Sequence, residues 1–312
     1  MGASDTCIIV DSTCDLPGGF IKQNDIAILP TTIRIGNRGF LDRRNEEDTA
    51  SFYREGLNGH RFDTEITAYS AEQIGDAIVR RVATRYEKAL VLTTASSNSA
   101  LFENVCTALR ENQPRFREAR RVSGRDENFS IRAIDTEAVF AGQGIVAHEA
   151  VRLARKNELP LSKLAKRIED LCQQVYTYVV PGDLLQLDNL NLQYESKLSR
   201  WMDFKLGGLF NTRPVIQMHC GETKVIMKAS GFDPALKLLL EHAMRQIKAG
   251  LAPKLVSISY AGDLQAMKNK TLIKQFMRFA QHYEVEVMIS VMSATAAVNI
   301  GPGSFSLAFA AA

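Results

Sequence analysis

The 312-residue chain has no uninterrupted apolar run approaching the roughly 18 residues of a membrane-spanning helix, so no membrane span is expected. Its 5 cysteines include no Cys-x-x-Cys pair, and its 5 histidines form no His-Glu-x-x-His and no close pair. That leaves no zinc set and no dithiol redox centre, and no metal or other cofactor is expected. An odd number of scattered cysteines suits a reducing, cytoplasmic setting. Cys7, Cys106 and Cys172 fall in apolar-periodic stretches and read as small core residues. A net charge of only +3 is too small a surplus to argue for a nucleic-acid partner. Gly-x-Ser-x-Gly is missing as well. Gly301-Pro302-Gly303-Ser304 does not reproduce that nucleophile elbow, because proline fills the turn before its glycine.

What is present is ordinary for a folded α/β protein. Hydrophobic residues make up 46% and charged residues 23%, close to the average soluble domain. At roughly 150 residues per domain, the length suggests two domains. Strand signals alternate with helix signals throughout. Cys7–Val10, Ile26–Ile35, Ala89–Thr94 and Ile131–Ile134 read as strands, with amphipathic helical patterns near 46–57, 70–86, 98–111 and 138–157. Strands separated by helices imply crossover connections and mostly parallel sheets. After Lys156-Asn157-Glu158-Leu159-Pro160, a polar break, the pattern restarts. A helix near 161–174 leads to strand Val175–Val180. Arg213–His219 and Lys224–Lys228 form a hairpin, and strands Lys254–Tyr260, Glu284–Val291 and Phe305–Phe309 alternate with helices at 233–249 and 263–282. The expected fold is therefore two α/β domains, 1–158 and 159–312, with mostly parallel sheets.

Small hydroxyl residues recur just after strands: Asp11-Ser12-Thr13, Thr93-Thr94-Ala95-Ser96-Ser97-Asn98-Ser99 and Asp135-Thr136. One such segment is most simply a helix cap. Three in one half of the chain point to a polar site at the strand carboxyl ends, where open α/β sheets bind ligands. Pro114–Arg125 holds five arginines against one glutamate. It reads as a solvated excursion between a helix and a strand, with a docking patch for an acidic partner or phosphate as the alternative.

These motifs, in this order, resemble the DegV family. Ile9-Val10-Asp11-Ser12-Thr13-Cys14-Asp15-Leu16 is similar to that family's opening Val-x-Asp-Ser-x-x-Asp-Leu, and Asn299-Ile300-Gly301-Pro302-Gly303 to its closing His-x-Gly-Pro-Gly. Ile28-Leu29-Pro30, Phe40-Leu41-Asp42, Phe52-Tyr53, Ile134-Asp135-Thr136 and Asn211-Thr212-Arg213-Pro214 fall between them in family order. The resemblance implies a protein that binds a long-chain fatty acid between two α/β domains without catalysing a reaction. It further implies a possible role in presenting the lipid to a partner kinase. Matching the family's loops brings Thr67, Thr93, Thr94, Ser97, Asn98, Lys197 and Asn299 forward as ligand-binding residues. In four of these matches the family residue is replaced: Thr67 stands for serine, Asn98 for glycine, Asn299 for histidine and, within Glu195-Ser196-Lys197-Leu198 in place of Gly-Gly-Arg-Ile, Lys197 for arginine. Asparagine cannot titrate and lysine lacks the planar fork of arginine, so recognition of an acyl phosphate should be weakened while lipid binding survives.

The physics of such a site is uneven. Burying about 14 methylenes at ~0.8 kcal/mol each gives on the order of 11 kcal/mol gross, whereas each hydroxyl-to-carboxylate bond adds only about 1.5–3 kcal/mol. The tail sets affinity and the hydroxyls set orientation. Met202, Phe204, Leu206, Leu209 and Phe210 offer apolar wall. The alternative function is a subunit of a dihydroxyacetone-kinase-like phosphotransferase, which would hold its substrate through a histidine.

Overall fold

The computed structural model describes residues 5–56, 64–184 and 212–312. Three sheets form. The first is wholly parallel, in the order β2 (Ala27–Leu29), β1 (Thr6–Asp11), β6 (Lys88–Thr93), β7 (Ser130–Asp135). β1 is buried along its full length, which is why Cys7-Ile8-Ile9-Val10 is continuously apolar rather than alternating. A small antiparallel sheet joins β4 (Arg38–Asp42), β3 (Thr31–Ile35) and β5 (Thr64–Thr67). The third sheet has six strands, β10 (Glu222–Ser230), β9 (Thr212–His219), β8 (Val175–Val180), β13 (Phe305–Ala311), β11 (Leu251–Tyr260) and β12 (Glu286–Val291). It is mixed. Only β11 and β12 run parallel, because β9 and β10 form a hairpin and the last strand, β13, inserts antiparallel between β8 and β11.

Most of the longer helices match the amphipathic patterns of the sequence. α1 (Gly18–Gln23) and α2 (Glu46–Arg54) flank the first strands. α3 (Ala71–Ile78) starts at a capping box between Ser70 and Gln73 and continues into a π-helical turn, Val79–Ala83. α4 (Leu101–Glu111) follows β6. The Pro114–Arg125 stretch is not a loose excursion but mostly helix, α5 (Gln113–Val122), and its cations are largely taken up internally. The fully buried Arg120 donates to the carbonyls of Ala83 and Tyr86 and pairs with Glu87, while Arg115, Arg121 and Arg125 pair with Asp76, Glu118 and Glu87. On the far side, α8 (Phe232–Ala249), α9 (Leu264–Asn269) and α10 (Thr271–His282) surround β11, and α11 (Ala294–Ile300) precedes β13.

The expected Ile26–Ile35 strand is cut by Pro30 into β2 and β3, which belong to different sheets. Proline lacks the N–H that a continuous ladder would use. The helical stretch 263–282 is likewise two helices, broken at Lys270.

α6 (Phe140–Lys156) and α7 (Leu161–Cys172) lie between the first and third sheets, in one apolar cluster with residues from both. The expected boundary at 158 falls in the turn that joins them. α7 buries a single stripe, Leu161, Leu164, Ala165, Ile168 and Leu171. α6 is buried nearly all round, as a helix walled on both sides must be. Close approach requires small residues: a Cβ on Gly144 would lie 2.6 Å from the Asp15 carbonyl oxygen, and one on Gly142 would lie 2.0 Å from Thr177 Oγ1.

The loops of the first half also grip the third sheet. Asp15 and Arg44, both buried, pair at 3.3 Å. Arg44 donates to the Leu16 and Val291 carbonyls, and Asp15 accepts from the Ser293 amide at 2.8 Å. The Tyr53 hydroxyl donates to the Met292 carbonyl at 2.6 Å. Asp42 accepts from both the amide and the hydroxyl of Thr295, at 2.9 Å each. The start of α11 is thereby fixed by residues some 250 positions earlier in the chain.

Two expectations follow. Gly144→Ala should lower stability by about 1–3 kcal/mol, the usual cost of overpacking against backbone, and a thermal melt equal to wild type would contradict the close approach. Burial raises the Asp15 pKa from 3.8 to about 6, against the pull of Arg44. Between those values the folded chain holds a proton that the unfolded chain has released, so the stability owed to this group falls as pH rises from about 4 to about 6. Relative to Asp15→Asn, which cannot titrate, wild type should lose up to about 3 kcal/mol across that window. A pH-independent difference between the two melts would contradict it.

Candidate functional site

A cavity of about 910 Å³ opens at the carboxyl ends of β1 and β6. Its walls come from β5, the β6–α4 loop, the start of α6 and α11, so the first, second and third sheets all contribute through their edges or loops. Of the residues expected from the sequence, Thr67, Thr94, Ser97, Asn98 and Asn299 line it together. Thr93 does not: its side chain is buried, with the hydroxyl directed to the Ile134 carbonyl at 3.4 Å. The reason is strand alternation, since successive side chains of β6 point to opposite faces. Lys197 and the apolar residues Met202, Phe204, Leu206, Leu209 and Phe210 lie outside the described residues.

The three hydroxyl segments have different roles. Ser12 is structural, accepting from the Thr31 amide and donating to the Asp42 carbonyl at 2.5 Å. Thr136 is also buried and donates to the Thr93 carbonyl at 2.8 Å. The segment after β6 alone turns a series of hydroxyls and an amide outward into the cavity. Asp135 helps to set its path by accepting from the Ser96 amide.

At the base of the cavity sits Asp11, 1% exposed. One carboxylate oxygen accepts from the amide and hydroxyl of Thr13, at 2.8 and 2.5 Å. The other accepts from the Thr94 amide at 2.6 Å and from Gln143 Nε2 at 2.8 Å. Burial pushes the Asp11 pKa up, and these four bonds oppose that shift. Asp11 thus ties the β1 loop, the β6 loop and α6 to one point, and leaves the Thr94 hydroxyl without a partner among the described residues. On another wall Asn299 donates to the Thr295 carbonyl at 3.0 Å, which fixes its amide plane at the cavity lining.

Ile66, Leu101, Val139, Phe140 and Val298 supply apolar wall. Val139 and Phe140 continue into a buried cluster with Val179, Ile216, Met292 and Ala297, which runs beneath α11 onto the third sheet. Asp11, Glu65 and Glu103 are the ionisable groups among the described lining residues, and no arginine, lysine or histidine is included. The head-group donors among the described residues are therefore neutral. No cluster of metal-ligating side chains occurs among the described residues.

Sequence reading missed Gln143 and Thr295. Gln143 is the one amide side chain in the otherwise small or apolar run Phe140–Ala147, a signal that was available. Thr295 had no local signal, because its partner Asp42 is remote in sequence.

The closing Asn299–Gly303 motif owes its glycines to backbone contact. Gly301 and Gly303 have φ of 90° and 76°, and a Cβ on Gly182 would lie 1.9 Å from the Pro302 carbonyl oxygen. Ser304 accepts from the Gly182 amide at 2.8 Å and donates to the Ile300 carbonyl. The turn holds the end of α11 against the residues after β8.

A family model described as "Uncharacterised protein, DegV family" matches residues 5–312. A DegV domain-containing protein of Xanthomonas campestris pv. campestris is 33% identical over 304 residues, covering 97% of this chain and 96% of its own. A solved DegV lipid-binding protein from Thermotoga maritima has the same fold, with TM-score 0.76 and 17% identity over 98% of both chains. So does a stearic acid-binding protein from Eubacterium ventriosum, with TM-score 0.75 and 16% identity over 97% of both. With a model match across nearly its whole length and a relative at one-third identity, this chain belongs to the DegV family.

Proposed function

We propose that this protein binds a long-chain fatty acid, with the carboxylate among the hydroxyls that line the 910 Å³ cavity and the tail along the apolar cluster beneath α11. The observation that carries this reading is the convergence of Thr67, Thr94, Ser97, Asn98 and Asn299 on one cavity that also has an apolar flank. The lipid-binding and stearic acid-binding descriptions of two proteins with the same fold support it. Thr94 and Ser97 donate to the carboxylate, with Thr67 and Asn299 beside it. Asp11 holds the Thr94 backbone in place without spending the Thr94 hydroxyl.

The neighbouring carboxylates have a chemical consequence. A fatty-acid head group near Asp11 keeps its proton to higher pH than in water, since like charges disfavour a second ionisation. Neutral donors suit that ligand, because hydroxyl and amide groups bond either protonation state. The phosphotransferase alternative has no support, since none of the described histidines lines the cavity. We take the protein to be a non-catalytic carrier of two α/β units. Service to a partner kinase would have to proceed without a histidine at position 299.

Thr94→Val keeps the backbone bond to Asp11 and removes one donor. It should weaken fatty-acid binding by about 1–2 kcal/mol in a lipid titration, with little change in the thermal melt. Unchanged affinity would overturn the head-group assignment.

A further inference from the structure

A second cavity, of about 810 Å³, lies on the other side of the β5–α3 loop. Four arginines, Arg43, Arg80, Arg81 and Arg85, and two aspartates, Asp25 and Asp76, line it. Both aspartates are already engaged. Asp25 accepts from Arg85 at 2.7 Å and from the Tyr86 hydroxyl. Asp76 accepts from Arg115 at 2.5 Å and faces Arg80 at 3.8 Å. Arg43 and Arg81 have no ion pair or side-chain hydrogen bond among the described residues. The cavity therefore carries two uncommitted guanidinium groups, beside two others whose positions are fixed by carboxylates.

The backbone brings these cations together in an unusual way. Arg80 and Arg81 sit on the π-helical turn that ends α3, a geometry found in short pieces and often at functional sites. Arg43 arrives from the end of β4, and Arg85 from the turn before β6. Guanidinium groups grip phosphate oxygens through two parallel N–H bonds, and a concave basic surface concentrates anions. The rings of Tyr69 and Tyr86 also line the space and could flank a planar group.

We propose that this cavity binds a phosphorylated small molecule, with Arg43 and Arg81 as the principal phosphate ligands and Arg80 and Arg85 as oriented supports. The site is separate from the fatty-acid cavity and does not depend on that reading.

The test is calorimetric titration of the full-length protein with pyrophosphate and with ATP, each at low and raised salt. Wild type should bind pyrophosphate saturably, and more weakly as salt screens the charges. Arg43→Gln combined with Arg81→Gln should weaken binding about tenfold or more, with an unchanged thermal melt because both side chains are exposed. Arg121→Gln, on the surface of α5, should bind as wild type does. ATP binding more tightly than pyrophosphate assigns the ligand to nucleotides, whereas equal affinity assigns it to free phosphoryl groups. Failure of wild type to bind either probe, or equal affinity in the double variant, overturns the proposal.

Discussion

A buried carboxylate with all four of its bonds made is the constraint on which the rest of this site depends. Asp11 ends an inner strand of the first sheet, where its carboxyl is almost wholly screened from water. Such a group is tolerated only when donors surround it. The donors come from three separate segments: its own loop, the loop after β6, and α6. Satisfying one charge therefore fixes the relative positions of three elements, and with them the Thr94 hydroxyl. The adjacent Ser12, Asp15 and Asp42 extend the same logic outward, toward β3, β12 and α11.

This polar seam works with an apolar one. α6 is packed on both sides, and its glycines let it approach the backbone of the β1 loop and the side chains of β8. The sheets on either side need not touch for the cavity to be rigid, since both are registered to one helix. Asn299 illustrates the result. It sits 205 positions beyond Thr94, yet reaches the same cavity because Asp42 and Asp15 hold the start of α11 and the Gly301–Gly303 turn holds its end.

Local patterns were legible in the sequence and long-range partners were not. Val175–Val180 and the amphipathic stripe of α7 follow from periodicity alone. Order and spacing of short motifs were enough for the family resemblance. Thr93 and Thr94 could not be told apart without knowing which face of β6 meets the cavity. The run of arginines at 115–125 read as a solvated excursion because its counter-charges, Asp76 and Glu87, are far away in the chain. β4 and β5 were missed because they are short, half-exposed strands in a sheet that exists only once β3 is placed between them. Likewise, the mixed order of the third sheet depends on where the last strand inserts, which hydrophobic periodicity does not encode.

The central claim is that the cavity at the β1 and β6 ends holds a fatty acid whose tail provides most of the affinity. Native mass spectrometry of the protein purified without added lipid tests it most directly. The account predicts a co-purified mass in the range of long-chain fatty acids, lost on delipidation and restored by adding the free acid. A protein that is empty as purified and takes up no fatty acid afterwards would contradict it.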